Sequence, residues 1–203
     1  MKKTTCFIGI IFMAIMLTTF VSCDNNIRIT VTEEEWNNNM NAMNCEYYFE
    51  HSHELLGTAK WNIKNDVNGF SQYNIIGDHT IFYVKKNDRW YRVNKNNDNN
   101  EYVGTLINEH YQGTTNIKNN ISSNISLECD YSQFVFDKEI GGYVYIQEIN
   151  HGTKSVYVFF ENGELVRVEA RIVDNTSTYY ETWIFVFKNI NKTVVDIPEF
   201  TIK

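Results

Sequence analysis

The stretch VYVFFENGELVRVEARIV, residues 156–173, decides the fold class. Val156–Phe160 and Leu165–Val173 are dominated by β-branched and aromatic residues, which suit a pleated, half-buried surface. Between them stands Asn162-Gly163, a strong short hairpin signal because both residues tolerate the positive φ of a tight two-residue turn. Past the turn, Val166, Val168, Ala170 and Ile172 fall on one face, and Arg167, Glu169 and Arg171 on the other. That is the period of two expected of a strand with one buried side. A lone hairpin is at best marginal in water, so these two strands require neighbours.

The neighbours are legible in both directions. Toward the C-terminus, Tyr179–Lys188 places Trp183, Phe185 and Phe187 on one face and Ile184 and Val186 on the other. A strand apolar on both sides has to be covered twice. Toward the N-terminus, Phe134–Asp137 and Tyr143–Glu148 flank a turn at Gly141-Gly142. Further back, Cys45, Tyr47 and Phe49 alternate with Glu46, Tyr48 and Glu50, and Ala59, Trp61 and Ile63 alternate with Lys60, Asn62 and Lys64. Turns at Asn65–Gly69, Gly77-Asp78 and Asn87-Asp88 separate the strands Phe70–Ile76, Thr80–Lys85 and Arg89–Val93. The pattern is a meander of short antiparallel strands.

One helix precedes it. Thr32-Glu33-Glu34-Glu35 has the form of a capping box, with Thr32 as N-cap and Glu35 reaching back. Trp36, Met40 and Met43 then recur at helical spacing, giving an amphipathic helix of about three turns. Asn94–Asn100 reads as a polar loop. In Glu101–Tyr111, Leu106, Ile107, His110 and Tyr111 are spaced for a short helix. Gly113–Ser126 reads as a connection whose Ile117, Ile121 and Ile125 pin it down or line an entrance. The fold class is therefore α+β, mostly antiparallel β: a strongly curved sheet, a half-barrel, wrapped round one or two short helices. Pro198 is the single proline, so no Pro-rich linker divides residues 31–203, which form one domain.

Residues 1–22 read as a signal peptide. Lys2 and Lys3 form a positive start, Phe7–Leu17 is apolar, and Ser22 is a small residue before the cleavage point. The apolar run breaks at Thr18-Thr19, short of the about 20 residues needed to span a bilayer. Phe20-Val21-Ser22-Cys23 resembles a bacterial lipobox, with Phe20 in place of the commoner leucine. That resemblance implies that Cys23 is acylated and becomes the first mature residue. It implies durable attachment, since two or more acyl chains anchor stably where one does not. Residues 23–30 then form the lipidated cysteine and a short tether. The expected location is the bacterial membrane or envelope, outside the cytoplasm.

The chain carries a net charge of -7. Losing Lys2 and Lys3 with the signal leaves about -9, which argues against nucleic acid and against charge-driven binding to anionic lipid. Of four cysteines, Cys45 and Cys129 remain in the domain beside Cys23. They are compatible with a disulfide in an exported protein, or with two separate buried thiols. Neither has a second cysteine or a histidine at zinc-ligand spacing.

Over most of its length the chain also resembles a known family. The segments ITVTEEEW (29–36), VYVFFENGELVRVEA (156–170) and FKNINKTVVDIPEF (187–200) are similar in order and pattern to small bacterial lipoproteins. These have the half-β-barrel shared by periplasmic lipoprotein carriers and lipid-carrying surface lipoproteins. The resemblance implies an incomplete barrel round helices, in some members with an apolar cavity for acyl chains. On that basis Trp36, Met40, Trp61, Trp183, Phe185 and Phe187 are the residues expected to line a groove for a lipid or other hydrophobic ligand. The competing expectation is an envelope interaction module that binds a protein or carbohydrate through an exposed face, betrayed by an exposed apolar patch instead of a cavity.

Catalysis finds little support. No G-x-S-x-G elbow or glycine-rich phosphate loop occurs, and no base stands near either domain cysteine in the sequence. His51 and His53 share one face of a strand, yet a usable metal site needs three or four ligands and no third is in view. No metal, cofactor or enzymatic activity is expected, and no protein partner can be named.

Overall fold

The computed structural model describes residues 27–96, 98–107, 116–175 and 180–203. The signal segment and Cys23 lie outside the described residues, as do His110, Tyr111 and Tyr179. Two α-helices are present among the described residues, α1 (Glu33–Met40) and α2 (Ile117–Ile125). The N-terminal strands are β1 (Cys45–His53), β2 (Gly57–Asn65), β3 (Gly69–Asn74), β4 (His79–Lys86), β5 (Arg89–Lys95) and β6 (Tyr102–Leu106). The C-terminal ones are β7 (Val135–Asp137), β8 (Gly142–Ile149), β9 (Gly152–Glu161), β10 (Glu164–Asp174), β11 (Tyr180–Lys188) and β12 (Thr201–Ile202). All belong to one sheet, ordered β12-β6-β5-β4-β3-β2-β1-β11-β10-β9-β8-β7. Every pairing is antiparallel except β12 with β6. The sheet is curved and does not close into a barrel.

The expected hairpin forms, with Asn162 at φ 52° and Gly163 at φ 86°. The facing of β10 differs from expectation at its start. A register shift between Leu165 and Arg167 puts a bulge at Val166. One extra residue reverses the alternation, so the buried set is Leu165, Val168 and Ala170 while Val166 is only half-buried.

Helix α1 starts as expected: the Glu35 amide donates to Thr32 Oγ1 at 3.2 Å, and the Thr32 amide to Glu35 Oε2 at 2.9 Å. It ends at Met40, about a turn early, with Asn41 as C-cap and Met43 beyond it. Asn37, Asn38 and Asn39 are poor helix formers, and Asn39 is put to another use. Its buried amide donates to Glu35 O (2.8 Å) and Gly163 O (2.9 Å), and its Oδ1 accepts from the Leu165 amide (2.9 Å). The helix is thereby bonded to the mouth of the β9–β10 hairpin.

Residues 117–125 are helical, where the sequence suggested an irregular connection. Asn116 caps the helix, Oδ1 accepting from the Asn119 amide, and Ser126 ends it in the left-handed region. Ile117, Ile121 and Ile125 recur every fourth residue and are all buried. Tyr102–Leu106, by contrast, is a strand, and residues 108–115 lie outside the described set. Both helices pack on one face of the sheet, where Trp36, Met40, the three isoleucines, Tyr47, Phe49, Val158, Phe160, Val168 and Phe185 form the main core.

A second, smaller core lies on the opposite face. Strand register carries Trp61 and Ile63 on the helix side, and Phe82, Val84, Tyr91, Val93 and Gly104 on the other. There the C-terminal segment crosses over, laying Ile197 and Phe200 against Val84, Tyr91 and Val93. Gly104 admits the Phe200 ring: a β-carbon at that position would stand 2.6 Å from ring carbons. The double covering expected of β11 is not supplied by a second layer. Ile184 and Val186 stay half-buried between the long side chains of β1 and β10, where Arg167 lies over the Phe159 ring at 5.6 Å.

Lys154 shows how α2 is tied down. It is 6 % exposed and donates to Ser126 O at 3.0 Å, the carbonyl at the C-terminal end of α2. Burial lowers its pKa from the ordinary 10.5. The unfolded chain then binds the proton more tightly, so stability rises as pH climbs from the lowered value toward 10.5. Lys154→Met is expected to abolish that alkaline rise, read from urea midpoints measured between neutral pH and pH about 10.5.

Candidate functional site

The six residues expected to line a groove do not share one environment. Trp36 is fully buried and Met40 is 1 % exposed. The indole is enclosed by Tyr131, Phe134, Tyr143 and Phe160, at centroid distances of 5.7, 5.1, 5.3 and 5.3 Å. Its Nε1–H donates to Cys129 O at 3.0 Å. Phe185 and Phe187 stack on each other and against Tyr47, inside the same core. Trp183 is buried at its edge, and only Trp61, stacked on Phe49, is half-buried. Trp36, Trp183, Phe185 and Phe187 are packed into the core, and Trp61 stands at its rim.

His51 and His53 do share the helix-side face, as expected. Sequence spacing does not reveal that Glu181 joins them across the sheet: His51 Nε2 lies 2.7 Å from Glu181 Oε1, and the imidazole stacks on Trp183 at 5.1 Å and 4°. His53 Nδ1 accepts from the Leu55 and Leu56 amides at 3.1 and 3.3 Å, which orients the β1–β2 turn. Among the described residues no three His, Cys, Asp or Glu side chains are grouped to hold a metal ion. Cys45 and Cys129 are both buried and free, so no disulfide joins them. Burial raises each thiol to about 12, which leaves them protonated and unreactive near neutrality.

Both ends of the sheet carry exposed apolar residues, Val67 (59 %) and Val194 (71 %) among them at the Cys45 end, and the ends differ in how the chain is tied down. At the Cys45 end of β1, the chain entering from the tether is held fast. Arg28 exchanges hydrogen bonds with Asn162, its amide donating to Oδ1 (3.2 Å) and its carbonyl accepting from the Asn162 amide (2.8 Å). Its guanidinium forks onto Glu35 at 2.9 and 2.5 Å. That contact holds the Glu35 carboxyl at about 2, below the usual 4.5. The stabilisation is complete above about pH 4.5 and lost as pH falls toward about 2. Glu35→Gln is expected to remove the acid-side loosening of residues 28–35, measured as amide exchange against pH; unchanged exchange would sink this assignment.

The His53 end is apolar and exposed. Leu55 and Leu56 are 80 % and 82 % exposed at the β1–β2 turn, and Ile76 is 66 % exposed at the β3–β4 turn. Tyr180 joins them, its carbonyl accepting from the Glu54 amide at 3.2 Å. Nine residues of β1 separate this end from the tether end, roughly 30 Å at the usual strand rise.

One edge of the sheet is also incomplete. β7 pairs with β8 only over Val135↔Val144, Phe136↔Tyr143 and Asp137↔Gly142. Tyr145–Ile149 of β8 therefore have no strand partner on that side among the described residues. Beside them lies an open groove of about 550 Å³ lined by Val135, Phe136, Asp137, Lys138, Glu139, Val144 and Ile146. The sequence marked the β7–β8 hairpin with arms of unequal length, Phe134–Asp137 and Tyr143–Glu148, but not that no further strand among the described residues covers the excess. No helix among the described residues is long and apolar enough to cross a membrane. No family model matches the chain, and no curated protein matches it.

Proposed function

We propose that this is a membrane-anchored bacterial lipoprotein, held through acylated Cys23, that acts without catalysis as an envelope interaction module. The observation that carries the choice is the exposure of Leu55, Leu56, Ile76 and Tyr180 at the end of the sheet opposite the tether. Arg28 is pinned at the other end, only five residues after Cys23, a reach of about 17 Å when extended. An anchor there directs the apolar end away from the bilayer, toward a protein or carbohydrate partner. Exposed apolar side chains grouped at one end of a sheet are the kind of surface that interaction sites use.

Two measurements test the proposal. Incorporation of an alkyne fatty acid in growing cells is expected for the native chain and absent from Cys23→Ser; incorporation by the variant overturns the anchor. Photo-reactive residues at Leu56 and at Val194, near the tether end, then compare the two ends in intact cells. Discrete adducts at Leu56 that vanish with Ile76→Asp support the module, and adducts at Val194 alone overturn it. The competing hydrophobic-ligand reading draws support from the half-buried Trp61 at the rim of the core. Stoichiometric lipid found by extraction and mass spectrometry of the purified protein would reverse the preference.

A further inference from the structure

The incomplete edge and the groove beside it carry an inference that does not depend on Cys23 or on the apolar end. We infer that β8 takes an extended peptide strand from a partner protein at Tyr145–Ile149, continuing the line of β7. Two independent features point there. First, a strand edge exposes backbone N–H and C=O groups that another backbone satisfies and a lipid does not. Natural edges are commonly guarded by lysine, proline or a covering loop. Here the unpaired run is Tyr-Ile-Gln-Glu-Ile, with Ile146 62 % exposed, and Val135 beside it is 73 % exposed. Second, the groove lies on the same face as Ile146: Val135 pairs with Val144, two residues before Ile146, so all three side chains project on that side.

The alternation of β8 states what the incoming strand carries. On the groove side stand Ile146 and Glu148; on the other, Tyr145, Gln147 and Ile149. Glu148 is exposed, its carboxylate accepting only from the Thr153 hydroxyl at 3.2 Å among the described residues. Asp137 and Glu139 add negative charge around the groove against the single Lys138. An antiparallel partner therefore presents an apolar residue opposite Ile146 and, two residues earlier in its own sequence, a lysine or arginine opposite Glu148. Opposite charges and apolar pairs directly across a ladder are the favoured combinations.

A disulfide-closed hairpin peptide whose outer strand reads Thr-Lys-Thr-Val-Thr is a suitable probe, since preorganisation removes most of the ordering cost. Titrated into the isotope-labelled protein, it is expected to shift the amide resonances of residues 144–149 and leave those of the Leu55–Leu56 turn unmoved. Replacing its lysine by glutamate weakens binding roughly two- to fivefold. Glu148→Lys reverses that preference, a readout that loss of folding cannot imitate. No shift at about 1 mM peptide, or equal binding by a backbone N-methylated hairpin, overturns the inference. Concentration-dependent self-association through Ile146 overturns it too, because the occupant is then a second copy of this chain.

Discussion

Replacing Trp36 with alanine is expected to destabilise the protein by about 3–5 kcal/mol, the usual cost of removing a large buried aromatic. The indole has no exposed surface, touches four other rings and donates its one N–H to Cys129 O. Trp36→Phe keeps most of the volume but leaves that carbonyl without its donor, and is expected to cost about 1–3 kcal/mol. Urea unfolding monitored by circular dichroism measures both. The experiment also separates two roles for the residue. A side chain lining an open groove loses little stability on truncation, so a cost below about 1 kcal/mol for alanine would restore the ligand-lining reading for Trp36 and its neighbour Met40.

Asp66→Ala is the second large effect. This carboxylate is only 4 % exposed, and it gathers three backbone donors. Oδ1 accepts from the Asn68 and Gly69 amides at 2.7 and 3.0 Å, closing the β2–β3 turn, and Oδ2 accepts from the Val195 amide at 2.8 Å. The last bond is the point where the C-terminal segment passes the end of the sheet on its way to the opposite face. Removing the carboxylate leaves buried donors unsatisfied, at about 3–5 kcal/mol for the set. Much of the loss falls on the small core around Phe200. Limited proteolysis should cut the variant first between Val195 and Lys203; equal resistance in native and variant chains would show that Ile197 and Phe200 hold the segment unaided. Asp66→Asn keeps one acceptor oxygen and should fall between the two.

Parts of this architecture were plain in the chain. Thr32 and Glu35 form the capping box their spacing announces, and Asn162-Gly163 turns where its conformational freedom predicts. The alternation of Cys45, Tyr47 and Phe49, and of Trp183, Phe185 and Phe187, is reproduced in burial. Helix α2 was hidden because its apolar residues come singly, every fourth position, amid asparagine and serine that favour caps and turns. Val166 was misplaced because a bulge adds a residue without altering composition. Trp36 and Trp61 carry the same side chain, yet one is walled in by four rings and the other is half-open. No local pattern separates them.

The sequence by itself determined the turns, the strand alternation and the helix cap, because each depends on residues within a few positions of one another. The expected address is likewise read from one contiguous run, Met1–Cys23. Only the tertiary structure decided that β1 joins β11, that Glu181 meets His51, and that the C-terminal segment covers the face opposite the helices. The unpaired edge of β8 belongs with these, since it depends on no other described strand coming to lie beside it. Each depends on which distant strands pair, and many pairings satisfy the same alternation. The choice among them is made by packing side chains from the whole chain into one core, a property no single stretch contains.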